Sequence, residues 1–210
     1  MVNNLMVMLH GYGSNGDDLA SLVPFFEPIL HDTEFYSPDG IEACEMGIYG
    51  FQWFSLYDRS DDAISKELEA KSEKVRQMIK SKAESLGLTE KDVILLGFSQ
   101  GTMLSLYLLL SSKVPYKAVI GFSGKLFIPK KVVPASTPVC LIHGKEDDIV
   151  PFESIKYAKN QFQKLGVKVE VLEVPNLGHS IDMSGLKFAV DFIKNISKKE
   201  AENEHITTTR

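Results

Sequence analysis

At 210 residues the chain fits one domain, and its 44% hydrophobic and 10% aromatic content can bury a substantial core, which argues against disorder. A formal charge of −5 argues against nucleic acid as a main partner. No stretch reaches the ~18 uninterrupted apolar residues of a bilayer span. Two cysteines make no disulfide framework, so a soluble cytoplasmic protein is expected.

The opening "MVNNLMVML" has neither a basic region nor a small-residue cleavage site, and it reads as a strand over Leu5–Leu9. Then comes "LHGYGSNGDD", in which Gly11, Gly13 and Gly16 spell G-x-G-x-x-G. Two readings compete here: a dinucleotide-binding turn, or the His-Gly start of an oxyanion loop. A helix is expected over Asp17–Leu30 and a strand over Thr33–Ser37. A dinucleotide site needs an acid at the end of that second strand, but Asp32 and Glu34 bracket its start. Over Asp61–Leu86, the residues Ile64, Leu68, Val75, Ile79 and Leu86 form one apolar stripe, and Gly87 ends the helix.

A strand over Asp92–Phe98 runs directly into "GFSQG", and a helix follows over Gln100–Leu110. G-x-S-x-G between strand and helix is the nucleophile elbow, in which small residues allow a sharp turn that exposes Ser99. After the strand Lys117–Phe122, the loop Gly124–Ser136 mixes apolar residues with Lys and Pro; it lines an acyl groove or covers a sheet edge. The strand Pro138–His143 leads into "HGKEDDIVP", and a helix over Phe152–Leu165 closes at Gly166. The strand Lys168–Val174 leads into "NLGHSID", and the helix Met183–Ile196 follows. The tail, residues 198–210, is polar and aperiodic and is expected to be disordered, leaving one domain over residues 1–197.

A serine hydroxyl is a poor nucleophile without a base, and the base needs an orienting acid. Ser99, Asp147 and His179 occur in the chain order Ser, acid, His, each in the loop after a strand. Asp147 has two acidic neighbours, Glu146 and Asp148, so the choice among them stays open on spacing alone. His10 shapes the first loop, His143 opens the acid loop, and His31 and His205 read as surface residues. No Cys/His cluster has zinc-like spacing, so no metal is expected.

These blocks together resemble the bacterial carboxylesterase/phospholipase branch of the acyl-protein thioesterase-like α/β-hydrolases. The resemblance runs through "LHGYGSNGDDL", "QWFSL", "GFSQGTM", "IGFSGKL", "HG-x-x-D-x-x-VP" and "GHSID". It implies an α/β-hydrolase fold: a mostly parallel sheet of about six to seven strands with helices on both faces, and N-terminal edge strands shortened or missing. It implies that Tyr12 and Gln100 offer backbone N–H groups to an oxyanion, that Asp147 is the acid, and that Trp53 walls an acyl pocket. Lys145 departs from the family, which often has an acid at that position. The implied activity is cleavage of carboxylic esters or thioesters through an acyl-enzyme, without a cofactor. The substrate would be a small ester, a lysophospholipid or an S-acylated protein, and a homodimer is compatible with it. The rival reading is a non-catalytic ligand-binding module on the same fold.

Overall fold

The computed structural model describes residues 2–47, 49–133 and 136–208, with side chains through residue 198. Six strands form one sheet: β1 (Asn4–Leu9), β2 (Thr33–Tyr36), β5 (Val93–Phe98), β6 (Ala118–Phe122), β7 (Val139–Gly144) and β8 (Val169–Val174). Their order is β2-β1-β5-β6-β7-β8 and every neighbouring pair is parallel. Strands β1, β5, β6 and β7 are buried on both faces, which is why their sequences barely alternate. The edge strands β2 and β8 are only half-buried for most of their length and carry Glu34, Glu170 and Glu173.

Because successive strand residues point to opposite faces, the core divides into two layers. On one face Leu5, Val7, Leu95, Val119 and Leu141 pack against α3 (Asp61–Ser85), α4 (Gln100–Ser111) and α5 (Glu153–Lys164). On the other face Met6, Met8, Ile94, Ile120 and Ile142 meet residues around α1 (Gly16–Ala20) and α2 (Val23–Phe26), and α6 (Met183–Thr208). Helix α3 carries the expected stripe. Ser60 caps it, its side chain accepting from Ala63 N–H, and Gly87 ends it at φ 73°.

Three features differ from the elements expected or were not expected at all. The single helix over Asp17–Leu30 is two short ones, with Pro24 in the first turn of the second. Proline cannot continue a preceding helix but suits the start of a new one. Over the tail, α6 is continuous past Ser197 to Thr208. Its Lys, Glu and Ala residues are good helix formers, and extending an existing helix avoids the nucleation cost. The side chain of His205 lies outside the described residues. Finally, β3 (Glu42–Ala43) and β4 (Phe51–Gln52) form a small antiparallel ribbon too short to leave a periodic trace.

Candidate active site

β5 ends at Phe98, and Ser99 then adopts φ 53° and ψ −113°, a left-handed backbone that L-residues rarely take. Helix α4 begins at the next residue. A Cβ on Gly97 would lie 2.5 Å from Thr102 N, and one on Gly101 would lie 1.8 Å from Leu9 O. Both glycines of the elbow are therefore required by backbone proximity. Ser99 is held by its own N–H, which donates to Phe122 O at 2.9 Å.

The loops after β7 and β8 bring Asp147 and His179 to the same edge. His179 Nε2 lies 2.9 Å from Ser99 Oγ, and His179 Nδ1 lies 2.8 Å from Asp147 Oδ2. The other carboxylate oxygen, Asp147 Oδ1, accepts N–H bonds from Ile149 at 3.0 Å and Val150 at 2.8 Å. Burial by itself would raise the Asp147 carboxyl. The Val150 and Ile149 N–H groups and His179 outweigh it and hold the group below the ordinary carboxylate range. Glu146 and Asp148, the neighbouring acids, are exposed.

His143 occupies the back of this arrangement. Its Nε2 lies 2.9 Å from Val150 O and 3.2 Å from Asp147 Oδ2, with both side chains buried. Burial lowers its pKa from the usual histidine value, against the raising influence of the Val150 carbonyl and Asp147. The sequence placed His143 at the mouth of the acid loop but gave no sign of this contact.

Gln100 is the first residue of α4, so its N–H has no partner within the helix. Tyr12 follows His10-Gly11 in the loop after β1. Neither N–H meets a protein acceptor among the described residues. The side chains behind them are tightly paired. Gln100 Oε1 accepts Trp53 N–H at 2.9 Å and its amide donates to Phe54 O at 2.8 Å. The Trp53 indole donates to His10 O at 2.9 Å. His10 Nδ1 donates to Gly11 O at 2.7 Å and Nε2 accepts Gly40 N–H at 2.8 Å, so the ring is the neutral Nδ1–H tautomer. Burial likewise lowers its pKa.

Trp53 is therefore not where the resemblance put it. It is fully buried and does not reach the cavity; it braces the loop from behind. A second brace had no sequence signal. The Glu45 carboxylate accepts the Tyr12 hydroxyl at 2.9 Å, Leu56 N–H at 2.7 Å and the Ser55 hydroxyl at 2.7 Å. Burial and this acceptor push the Tyr12 phenol well above its usual value.

The glycine spacing of the first loop serves a tight turn. Gly13 N–H donates to Phe51 O, Ser14 N–H to Gly11 O, and Gly16 N–H to Asp39 Oδ1. A pyrophosphate needs such N–H groups free, and here they are already taken. The dinucleotide reading fails on that ground. Among the described residues, no three His, Cys, Asp or Glu side chains are placed to hold a metal ion.

A cavity of about 510 Å³ opens above Ser99 and His179. Leu56, Ile64, Met103, Phe127 and Val150 give it apolar walls, while Arg59, Lys125 and Asp61 also line it. Lys125 Nζ pairs with Asp61 at 2.6 Å. The loop after β6 thus contributes Lys125 and Phe127 to the cavity; its Pro134 and Ala135 lie outside the described residues.

Residues 1–197 match the phospholipase/carboxylesterase family. Among solved structures, the fold is similar to that of esterase PE8, with 33% identity, 93% of each chain covered and a TM-score of 0.85. Among curated proteins, the chain is 25% identical to esterase YpfH of Escherichia coli K12, covering 97% of this chain and 87% of the relative. It is 28% identical to acyl-protein thioesterase 1 of Debaryomyces hansenii, covering 70% of this chain and 68% of the relative. The all-parallel sheet, the strained elbow and this match over nearly the whole chain agree: the protein belongs to the phospholipase/carboxylesterase family of α/β-hydrolases.

Proposed function

We propose that the protein hydrolyses carboxylic esters or thioesters with Ser99 as nucleophile, His179 as base and Asp147 as the orienting acid. The observation that carries this reading is the position of His179, within hydrogen-bond reach of Ser99 on one side and Asp147 on the other. His179 Nε2 takes the Ser99 proton as Oγ attacks the acyl carbonyl. The N–H groups of Tyr12 and Gln100 receive the oxyanion, and the positive end of α4 adds to its stabilisation. The imidazolium then protonates the leaving alcohol or thiol, and the ionised Asp147 stabilises it throughout. Water, activated by the same ring, releases the acid and restores Ser99. No step calls for a cofactor.

The apolar walls suit an aliphatic acyl group, and relatives named esterase and acyl-protein thioesterase support both oxygen and sulfur leaving groups. Lysophospholipids and S-acylated proteins are the larger substrates that share this chemistry. Cys44 and Cys140 are both buried and unpaired, which fits a reducing, cytoplasmic setting. No helix among the described residues is long and apolar enough to cross a membrane.

The test is covalent labelling with a fluorophosphonate, followed by peptide mapping, and turnover on paired oxygen and thio esters of increasing acyl length. Modification at Ser99, lost in Ser99→Ala, together with hydrolysis of at least one ester series, is expected. A folded protein that resists the probe and cleaves none of the esters would instead be a binding module.

A further inference from the structure

Asp147 is a carboxylate with a completely buried side chain, and such a group is stable only if its acceptor positions are filled. Three donors are those expected of a triad acid: the N–H groups of Ile149 and Val150 on Oδ1, and His179 on Oδ2. His143 adds a further contact: its Nε2 is hydrogen-bonded to Val150 O and stands 3.2 Å from the same carboxylate oxygen that faces His179. We infer that His143 is a positioning residue, a second imidazole whose Nε2–H is held by Val150 O beside Asp147 Oδ2 and so fixes the acid loop and its carboxylate for His179. The inference rests on the triad reading above.

The direction of this bond follows from its surroundings. His143 Nε2 faces two acceptors, the Val150 carbonyl and the Asp147 carboxylate, and faces no donor there. Only a protonated Nε2 suits both: its hydrogen bond goes to the Val150 carbonyl, and the positive end of the N–H dipole lies beside the carboxylate. In the neutral ring Nδ1 then carries no proton. Two of the contacts also close a small circuit, since Val150 gives its N–H to Asp147 and its carbonyl to His143. His143 is the next-to-last residue of β7, where it pairs with Glu173 of β8. A regular strand therefore supplies the brace, and the acid loop folds back onto it. The Phe152 ring packs edge-on at 6.3 Å, covering the imidazole.

If the brace works this way, its loss loosens the acid loop at Val150 and leaves Asp147 freer to turn. The cost falls on the step in which His179 becomes charged, so kcat drops while substrate binding does not. His143→Leu keeps the bulk and removes the donor; His143→Gln puts an amide N–H₂ near the position of Nε2. On a short-chain ester, His143→Leu is expected to lose kcat about tenfold, as for one buried hydrogen bond whose acceptor is left unpaired, with KM within about twofold. His143→Gln should recover to within about threefold of the wild type. The His179 Nδ1–H proton resonance should move in His143→Leu and return in His143→Gln. In the wild-type protein, ¹⁵N–¹H spectra of the imidazoles should show His143 as the Nε2–H tautomer, a measurement that needs no variant to fold.

An Nδ1–H tautomer in the wild type overturns the inference. So does a folded His143→Leu enzyme with unchanged kcat, or a Gln variant as impaired as the Leu one. Fluorophosphonate labelling of the wild type separates these outcomes from failure of the triad itself, because a wild-type protein that does not label has no activated Ser99 whatever the His143 variants do.

Discussion

Trp53 and Gln100, 47 residues apart in sequence, are joined by a hydrogen bond of 2.9 Å from the Trp53 N–H to the Gln100 side chain. The Trp53 indole in turn donates to His10 O, so one buried residue connects the segments that carry both proposed oxyanion donors. One donor lies in the loop after β1 and the other at the start of α4, yet both are set by one shared scaffold. Such rigidity is what electrostatic preorganisation requires, since the donors must be in place before charge develops.

Trp53→Phe should therefore impair catalysis from beneath the site. The change leaves His10 O without its buried donor, which costs about 1–3 kcal/mol of stability, and the lost ring volume adds to that. We expect a lower urea midpoint and a reduced kcat, with a smaller effect on KM. A variant whose KM rises while kcat holds would mean that Trp53 touches the substrate after all.

Ser99→Ala should abolish ester turnover by ~10⁴-fold or more while the protein stays folded. Ser99→Gly should be equally inactive but more stable than Ser99→Ala. The left-handed backbone at φ 53° strains any residue with a Cβ by about 1–3 kcal/mol, and glycine is relieved of it. Thermal melts of the two variants give the comparison directly.

Asp147→Asn should cost around 10⁴-fold in kcat, because the amide cannot hold the imidazole in its working tautomer. Asp148→Asn and Glu146→Gln, both at exposed positions, should each change kcat by less than about threefold. Steady-state rates for the three single variants decide the matter. A crippled Asp148→Asn enzyme beside a normal Asp147→Asn one would reassign the acid.

Gly101→Ala should destabilise the fold by about 3 kcal/mol or more, since its Cβ would be forced to within 1.8 Å of Leu9 O and only backbone movement can relieve that. β1 and the elbow would be pushed apart, so activity should fall with stability. Urea unfolding that matches the wild type would show that the β1–α4 contact tolerates a Cβ at this position.

Stability should decline below about pH 6.5, well before the carboxylates titrate. His10 and His143 both have lowered pKa values through burial, so the folded protein resists protons that the unfolded chain accepts. More protons on the unfolded state mean that stability rises with pH: the contribution is complete above the unfolded value near 6.5 and is lost as pH falls towards the folded values. Each ring adds a slope of up to about 1.4 kcal/mol per pH unit within that window. Asp147, with its pKa held down, contributes stability throughout this window and loses it only at lower pH, as the carboxylate protonates. Urea midpoints between pH 7.5 and 5 should fall steadily, and His10→Asn should flatten the trend.

Much of the architecture was legible in the residues alone. Strands β1, β5, β6, β7 and β8 and helices α3 to α5 lie within about a residue of their expected bounds, because apolar period, caps and closing glycines are local signals. The elbow was equally plain, since Gly97, Ser99 and Gly101 fall within five consecutive residues between a strand and a helix. The split of Asp17–Leu30 had its signal in Pro24, which the periodic reading passed over. The β3–β4 ribbon had none.

What the sequence by itself determined was the fold and the chain order of Ser99, an acid and His179, because hydrophobic period and glycine spacing act over a few residues and fix strands, turns and helices locally. Only the tertiary structure decided which of three adjacent acids turns inward to His179, that Trp53 lies beneath the site, and that Glu45 and His143 stand behind Tyr12 and Asp147. Those choices depend on where loops from separate strands meet. A side chain's direction there is set by the packing and donors of residues tens of positions away, and burial of a charge is tolerated only where enough of them converge.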